Sequence, residues 1–168
     1  MAVHNQWQTT RALKGGVVAG LISGVVLSIV HSLMTAIQGH SVIQGLKFAG
    51  IPFLGKRVFE PGFDHVAIVT GFVTHLAISI GWAVAFALLF FGLSKAMTLV
   101  AGAFWGIVVW LGMLYVALPL IGVPAGGNNP IPVAILTHVL FGIVTAAAFL
   151  PFQRELPPVA RHRTTPLH

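Results

Sequence analysis

The segment at residues 71–86, GFVTHLAISIGWAVAF, decides the fold, because it is an apolar stretch of helical length with one histidine near its start. It has a counterpart at residues 134–149, AILTHVLFGIVTAAAF, in which His138 aligns with His75. A helix needs about 20 apolar residues to cross a hydrocarbon core of about 30 Å. The two segments therefore predict two membrane-spanning helices that carry a histidine at corresponding positions.

The composition of the whole chain agrees with this interpretation. Hydrophobic residues make up 57% of the 168 residues and charged residues only 7%, with a mean hydropathy of +0.94. A soluble domain carries about 25% charged residues. Backbone polar groups inside lipid must be satisfied within a helix or a closed barrel, and the apolar runs do not alternate as barrel strands do. We expect an all-α membrane protein with four transmembrane helices, at residues 15–37, 65–91, 97–123 and 131–152.

The distribution of basic residues predicts the orientation. The formal charge is +6, but in a membrane protein Lys and Arg report sidedness, and nucleic acid is not an expected partner. Both termini are expected in the cytoplasm because the nine Lys and Arg residues divide six to three, with Arg11, Lys14, Lys95, Arg154, Arg161 and Arg163 on the inner side and Lys47, Lys56 and Arg57 on the outer side. Cysteine is absent, which excludes disulfides and thiolate ligands.

The remaining segments divide the chain into three parts. Residues 1–14 form a cytoplasmic N-terminal segment, residues 15–152 the transmembrane domain, and residues 153–168 a basic tail that we expect to be disordered. Within the domain, residues 38–64 form a long outer loop. Loops of that length are usually functional, covered by a partner or folded on their own.

A second repeat extends the symmetry to the odd-numbered helices. Val18-Ala19-Gly20 recurs as Val100-Ala101-Gly102, and a glycine follows each copy at the same distance. The repeats predict two tandem helical hairpins. A unit of two spans returns the chain to its starting side, so the two hairpins would be related by a pseudo-twofold axis along the membrane normal.

Five glycines are candidates for helix packing. Gly16, Gly20 and Gly24 lie four residues apart on the first helix, as do Gly102 and Gly106 on the third. Residues at this spacing share one face, and small residues let two backbones approach closely. Two interpretations remain open: internal packing of the first helix on the third, or an exposed seam that docks a partner subunit or a second copy.

Of the residue types His, Asp, Glu, Lys and Arg, only histidine lies well inside the predicted spans, which disfavours a proton relay or transport site built on carboxylates. Three interpretations compete. The imidazoles hydrogen-bond across the bundle and hold helices together. Alternatively, His75 and His138 are axial ligands of haem b in a four-helix bundle. In the third, His31, His75 and His138, with Met34, bind copper or zinc, which imidazole and thioether suit.

The sequence contains no sign of nucleophilic catalysis. There is no G-x-S-x-G motif, and no acidic residue is placed to orient a histidine in the core. Trp82, Trp105 and Trp110 lie within spans rather than at their ends. Because aromatic belts favour the interface, we expect these rings to fill the core or to face neighbouring protein.

From Thr74 onward the chain resembles the YagU-type proteins. The resemblance is carried by AFALLF at residues 85–90, LPLIG at residues 118–122, the Thr-His pair at His138 and the closing QREL at residues 153–156. It implies a multispan protein of the bacterial inner membrane, loosely tied to acid tolerance, with no agreed catalytic residues. No site residue is carried over from it.

The expected function follows from these observations together. The leading hypothesis is a non-catalytic accessory or structural subunit of a larger membrane complex, whose partners are the lipid bilayer and other membrane subunits or a second copy. The alternative is a membrane redox protein that binds haem b, copper or zinc through histidines. A small transporter or channel is the third hypothesis.

Overall fold

The computed structural model describes residues 2–120, 122 and 131–154, and this part of the chain is almost entirely helical and contains no strand. The four long helices are α1, α4, α5 and α7, and the short helices α2 and α3 lie between α1 and α4. The bounds are α1 Ala2–Ile37, α2 Val42–Lys47, α3 Ile51–Leu54, α4 His65–Phe90, α5 Lys95–Gly112, α6 Leu118–Leu120 and α7 Ile131–Phe149.

The prediction of four long apolar helices is confirmed. The segments long and apolar enough to cross a membrane are Gln6–Ile37, His65–Phe90, Lys95–Leu120 and Ile131–Phe152. Helix α1 begins at Ala2, so the polar N-terminal segment continues the first helix instead of preceding it. The predicted end of the third helix at residue 123 and the tail from residue 155 lie outside the described residues.

The third span contains one irregular turn, directly after α5. Residues Met113–Ala117 form a π-helical turn, in which the Leu118 amide donates to the Met113 carbonyl, and α6 continues beyond it. A π turn holds one residue more than an α turn. The third span is therefore one long helix with a local change of register near its end.

Each glycine series packs on the helix that completes its own hairpin. A Cβ added at Gly20 would lie 2.5 Å from the Cα of Ile80, and one at Gly16 would lie 2.7 Å from the Cα of Val84. Since the contact moves back along α4 as it moves forward along α1, the two helices are antiparallel. The prediction that these glycines pack the first helix on the third is wrong, because they pack on α4.

The second hairpin repeats this arrangement at equivalent positions. A Cβ at Gly102 would lie 2.6 Å from the Gly142 carbonyl oxygen, and one at Gly106 would lie 2.6 Å from the Cα of Val139. In the sequence alignment, Gly102 corresponds to Gly20, which meets the Ser79 carbonyl, the counterpart of Gly142. Glycine allows such close approach because it has no side chain.

The two hairpins meet along two different interfaces. Helix α1 also packs directly on α7, where Gly15 faces the rings of Phe149 and Phe152. Between α4 and α5, by contrast, aromatic rings fill the space. Trp105 is only 8% exposed and donates its indole N–H to the Trp82 carbonyl at 3.2 Å. The prediction that the tryptophans fill the core is confirmed for Trp105.

Both described ends of the chain lie at one end of the bundle. The Arg11 guanidinium donates to the Phe152 carbonyl at 2.9 Å, which joins the start of α1 to the end of α7. Gln153 donates to the Phe90 carbonyl at 2.8 Å and accepts from the Gly92 amide at 2.8 Å. Gln153, the first residue of the predicted tail, therefore stabilises the turn between α4 and α5 by hydrogen bonds.

The long loop at the other end is folded. We call residues 38–64 the cap. Its helix α2 packs on α1 and α4, and the side chain of Lys47 is 1% exposed. The Lys47 ammonium donates to the carbonyl oxygens of Glu60 and Gly62, at 2.8 and 2.9 Å, while Gln44 donates to the Val58 carbonyl at 2.6 Å. Of the three outcomes expected for a loop of this length, the structure has the folded one.

One ion pair lies within the cap, next to the start of α4. Arg57 donates to both carboxylate oxygens of Asp64, at 2.7 and 3.1 Å. Asp64 also caps the start of α4 by accepting from the amides of Val66 and Ala67. The Arg57 guanidinium, followed by the amide of Ala67, lowers the pKa of the Asp64 carboxyl from 3.8 to about 2. The carboxylate is therefore charged throughout the physiological range.

Candidate histidine site

The three candidate histidines lie in the half of the bundle nearest the cap. His31 is near the end of α1, and Gly45 of the cap packs against its carbonyl oxygen. His75 and His138 lie in the first halves of α4 and α7, which both begin at the cap end. All three side chains are half-buried.

The closest pair is His31 and His75. Their ring centroids are 5.9 Å apart, with an edge-on interplanar angle of 68°. His138 lies within electrostatic range of both. Among the described residues, no three His, Asp or Glu side chains are gathered closely enough to hold a metal ion. The three-histidine metal site with Met34 therefore stays a prediction, and the pair is what the fold assembles.

The hydrogen bonds of His138 stay within its own helix. Its Nδ1 lies 2.8 Å from the Ala134 carbonyl oxygen. Because a carbonyl only accepts, Nδ1 carries the proton, and the neutral ring then has its lone pair on Nε2. The Thr137 hydroxyl donates to the same carbonyl at 2.9 Å. The interpretation of the histidines as packing residues requires hydrogen bonds between helices. Neither of these two bonds joins α7 to another helix.

His75 has one nitrogen without a partner. The backbone of Gly24 on α1 lies beside the ring. The Nε2 atom is buried and has no hydrogen-bond partner among the described residues. Buried polar atoms are nearly always paired, so an unpaired imidazole nitrogen marks a place where a ligand or water would bind. This nitrogen is the strongest single indication of a site in the bundle.

The geometry of the pair is compatible with shared ligation. Imidazole nitrogens bind metals at about 2.0–2.1 Å, which puts the ring centroids of two ligands on one ion roughly 5–6.5 Å apart. The 5.9 Å between His31 and His75 falls in that range. Haem ligation by His75 and His138 would instead join α4 and α7. The residues to hold either group are present, and imidazole suits copper, zinc and iron.

The His31–His75 pair was not predicted from the sequence. The repeat aligns His75 with His138, but it does not say which helices are neighbours. A signal was present on α1: His31 follows Gly24 by about two helical turns and so lies on the face that the glycines present to α4. The glycine series, extended to His31, identifies the pair.

Comparisons with protein-family models, with curated proteins and with solved structures find no match for this chain. The resemblance to the YagU-type proteins consequently stays a prediction. Any function has to be argued from the packing, the cap and the histidines themselves.

Proposed function

We propose that this chain is a multi-pass protein of a bacterial inner membrane, with both termini in the cytoplasm, and that it is a non-catalytic accessory subunit of a larger membrane complex. The proposal depends on the structure of the cap, which is folded, is held by internal hydrogen bonds and exposes aromatic side chains. Phe53, Phe59 and Phe63 are 70%, 54% and 77% exposed.

The cap has the features of a docking surface. Aromatic residues are enriched at protein interfaces. Phe59 is held edge-on by Phe48 at 5.8 Å, and the backbone beneath is fixed by Lys47 and by the Arg57–Asp64 pair. A surface that is ordered before binding loses less conformational entropy when it docks. The partner we propose is another subunit embedded in the same membrane.

The other candidate docking faces are already occupied. Gly20 and Gly102 meet α4 and α7 within the chain, and Trp105 is in the core. Their use inside the bundle removes these three residues as docking contacts and so favours the cap. The equivalent contacts of Gly20 and Gly102 also support our inference that the chain arose by duplication of one hairpin, with a pseudo-twofold axis along the membrane normal.

The test is site-specific crosslinking in living cells. A photoreactive amino acid is placed at Phe53 or Phe63 in the cap, and at Phe104, which is 67% exposed on α5, as the control. We expect the cap positions to give one discrete protein adduct, and we expect no adduct of the same mass from position 104. Adducts to lipid alone at both cap positions, from a correctly folded chain, would refute the accessory role.

A second function is favoured by the unpaired Nε2 of His75 and its contact with His31. In this proposal the chain is a membrane redox or metal-binding protein that uses haem b, copper or zinc. Purified protein is examined by absorption spectroscopy and metal analysis, with His40→Ala in the cap as the control. A Soret band lost in His75→Ala and His138→Ala identifies haem, and copper or zinc lost in His31→Ala and His75→Ala identifies a metal. A colourless, metal-free preparation excludes both.

A further inference from the structure

A basic cavity lies at the end of the bundle opposite the cap. It has a volume of about 420 Å³ and lies between the start of α1 and the end of α7. Trp7, Thr10, Arg11, Lys14, Pro151 and Phe152 line it. None of these residues belongs to the cap or to the histidine site, so the cavity is a separate feature.

Carbonyl oxygens and an aromatic ring hold the cations around this cavity, and no carboxylate among the described residues pairs with them. Arg11 donates to the carbonyl oxygens of Phe152 and Pro151, and its guanidinium lies 5.5 Å from the centre of the Trp7 ring. Arg154 lies 5.4 Å from the same ring. Carbonyls and an aromatic face orient a guanidinium but leave its full charge, whereas a carboxylate would cancel it.

Acidic side chains in the described part of the chain are far from the cavity. Glu60 and Asp64 both belong to the cap, at the other end of the bundle, and Glu155 lies outside the described residues. Two of the five N–H groups of Arg11 are used in the bonds to the α7 end. The others, with the exposed ammonium of Lys14, are available to an anion.

An apolar path continues from the cavity along α1. Val18 and Leu21 follow Lys14 by one and two turns on the same face, and they are 39% and 42% exposed. Arg and Lys bind phosphate by charge-assisted hydrogen bonds, and tryptophan favours the headgroup level of a bilayer. A phosphate at the cavity would thus have room for acyl chains against α1, as a phospholipid requires.

We propose that this cavity binds the phosphate headgroup of an anionic phospholipid, with Arg11, Lys14 and Arg154 as the recognising cations. Basic pockets between transmembrane helices bind acidic headgroups in this way. The inference rests on the proposed membrane location of the chain, and it places the site in the leaflet that faces the two termini.

The test measures lipid binding to the full-length protein in detergent by native mass spectrometry and by thermal melting. Phosphatidylglycerol is compared with phosphatidylcholine and with inorganic phosphate. We expect phosphatidylglycerol to bind more tightly and to raise the melting temperature. In the variant Lys14→Gln with Arg154→Gln, the affinity should fall roughly 30-fold, about fivefold for each charge removed near the surface.

The control is Lys95→Gln, at the first residue of α5 and at the same end of the bundle, which should leave the affinity unchanged. Arg11 is kept in both proteins because it also joins α1 to α7. Equal binding of the two lipids, or unchanged phosphatidylglycerol binding in the double variant, overturns the proposal. Inorganic phosphate that binds as tightly as the lipid overturns the lipid assignment. Extraction of the chain from membranes by alkaline carbonate would refute the membrane location itself.

Discussion

Gly20 of α1 rests on the backbone of Ile80 of α4, so closely that an added Cβ would lie 2.5 Å from the Ile80 Cα. Backbone-to-backbone contact of this kind gains dispersion energy that lipid-facing side chains do not supply. The contact belongs to the inside of the first hairpin, and it makes the glycine a requirement for packing two helices of one chain.

Gly20→Ala is expected to destabilise the bundle, because the new methyl group forces two backbones apart; overpacking of this kind costs about 1–3 kcal/mol. Gly81→Ala is the matched control, since a Cβ there meets nothing within 4 Å. Alanine favours helix over glycine by about 1 kcal/mol at either site. The free energy of unfolding of both variants is measured in mixed micelles with increasing SDS. Equal shifts in the two variants would contradict the packing role.

Trp105→Ala tests the aromatic layer between α4 and α5. The ring packs on Phe86 and Phe90, at centroid distances of 6.2 and 5.9 Å. Its removal leaves a cavity, so the free energy of unfolding should fall by about 3–5 kcal/mol. The control, Phe104→Ala, removes a ring that is 67% exposed and should change stability by less than about 0.5 kcal/mol. If both variants unfold at the same SDS fraction, Trp105 does not hold α4 to α5.

Lys47→Met tests what keeps the cap folded. The substitution preserves the length of the side chain but removes two charge-assisted hydrogen bonds to carbonyls, each contributing about 1.5–3 kcal/mol. We expect proteases to cleave the cap faster, while the helices stay intact by circular dichroism. Lys56→Met, at an exposed position of the same cap, is the control and should cleave at the wild-type rate. Wild-type cleavage of the Lys47 variant would show that other contacts fix the cap.

Because of the Arg57–Asp64 ion pair, we expect the stability of the cap to fall in acid. The folded pKa of Asp64, about 2, lies below the ordinary value of 3.8. Stabilisation by the carboxylate is therefore complete above about pH 4 and is lost as the pH falls towards 2. The protection of the amides of Val66 and Ala67 against hydrogen exchange, relative to the intrinsic rate at each pH, should fall in that window. Asp64→Asn keeps an acceptor for the helix cap but removes the charge, so its protection should no longer change with pH there. A variant with the wild-type profile would show that Asp64 is not the source of the effect.

The long helices could be predicted because the thickness of a bilayer fixes the length of an apolar helix. Their neighbours could not, because a repeat identifies equivalent helices without saying which of them touch. Gly20 was assigned to a helix pair by its spacing, and that spacing is the same whether it meets α4 or α5. The choice depends on the antiparallel return through the cap, which is a tertiary property.

The contacts of the cap and of the histidine pair were missed for a similar reason, although the glycine series on α1 already marks the face of His31. Lys47 binds backbone carbonyls, and any residue has a carbonyl, so no side-chain pattern marks its partners. His75 was recognised as a candidate from its apolar surroundings, but its contact with His31 depends on how α1 is rotated against α4. Gln153 was assigned to the tail by composition, although its hydrogen bonds close the end of the bundle.

The π turn at Met113–Ala117 sets a limit to the likeness of the two halves. Each residue of an α-helix advances by about 100°, so one extra residue rotates everything after it by that angle. Helix α1 has no such turn and runs unbroken from Ala2 to Ile37. The two helices thus stay in phase up to Met113, which the repeat aligns with His31, and are out of phase beyond it. Corresponding residues of α1 and of the third span therefore face different directions beyond Met113, so the repeat no longer predicts equivalent contacts at the cap end of the bundle.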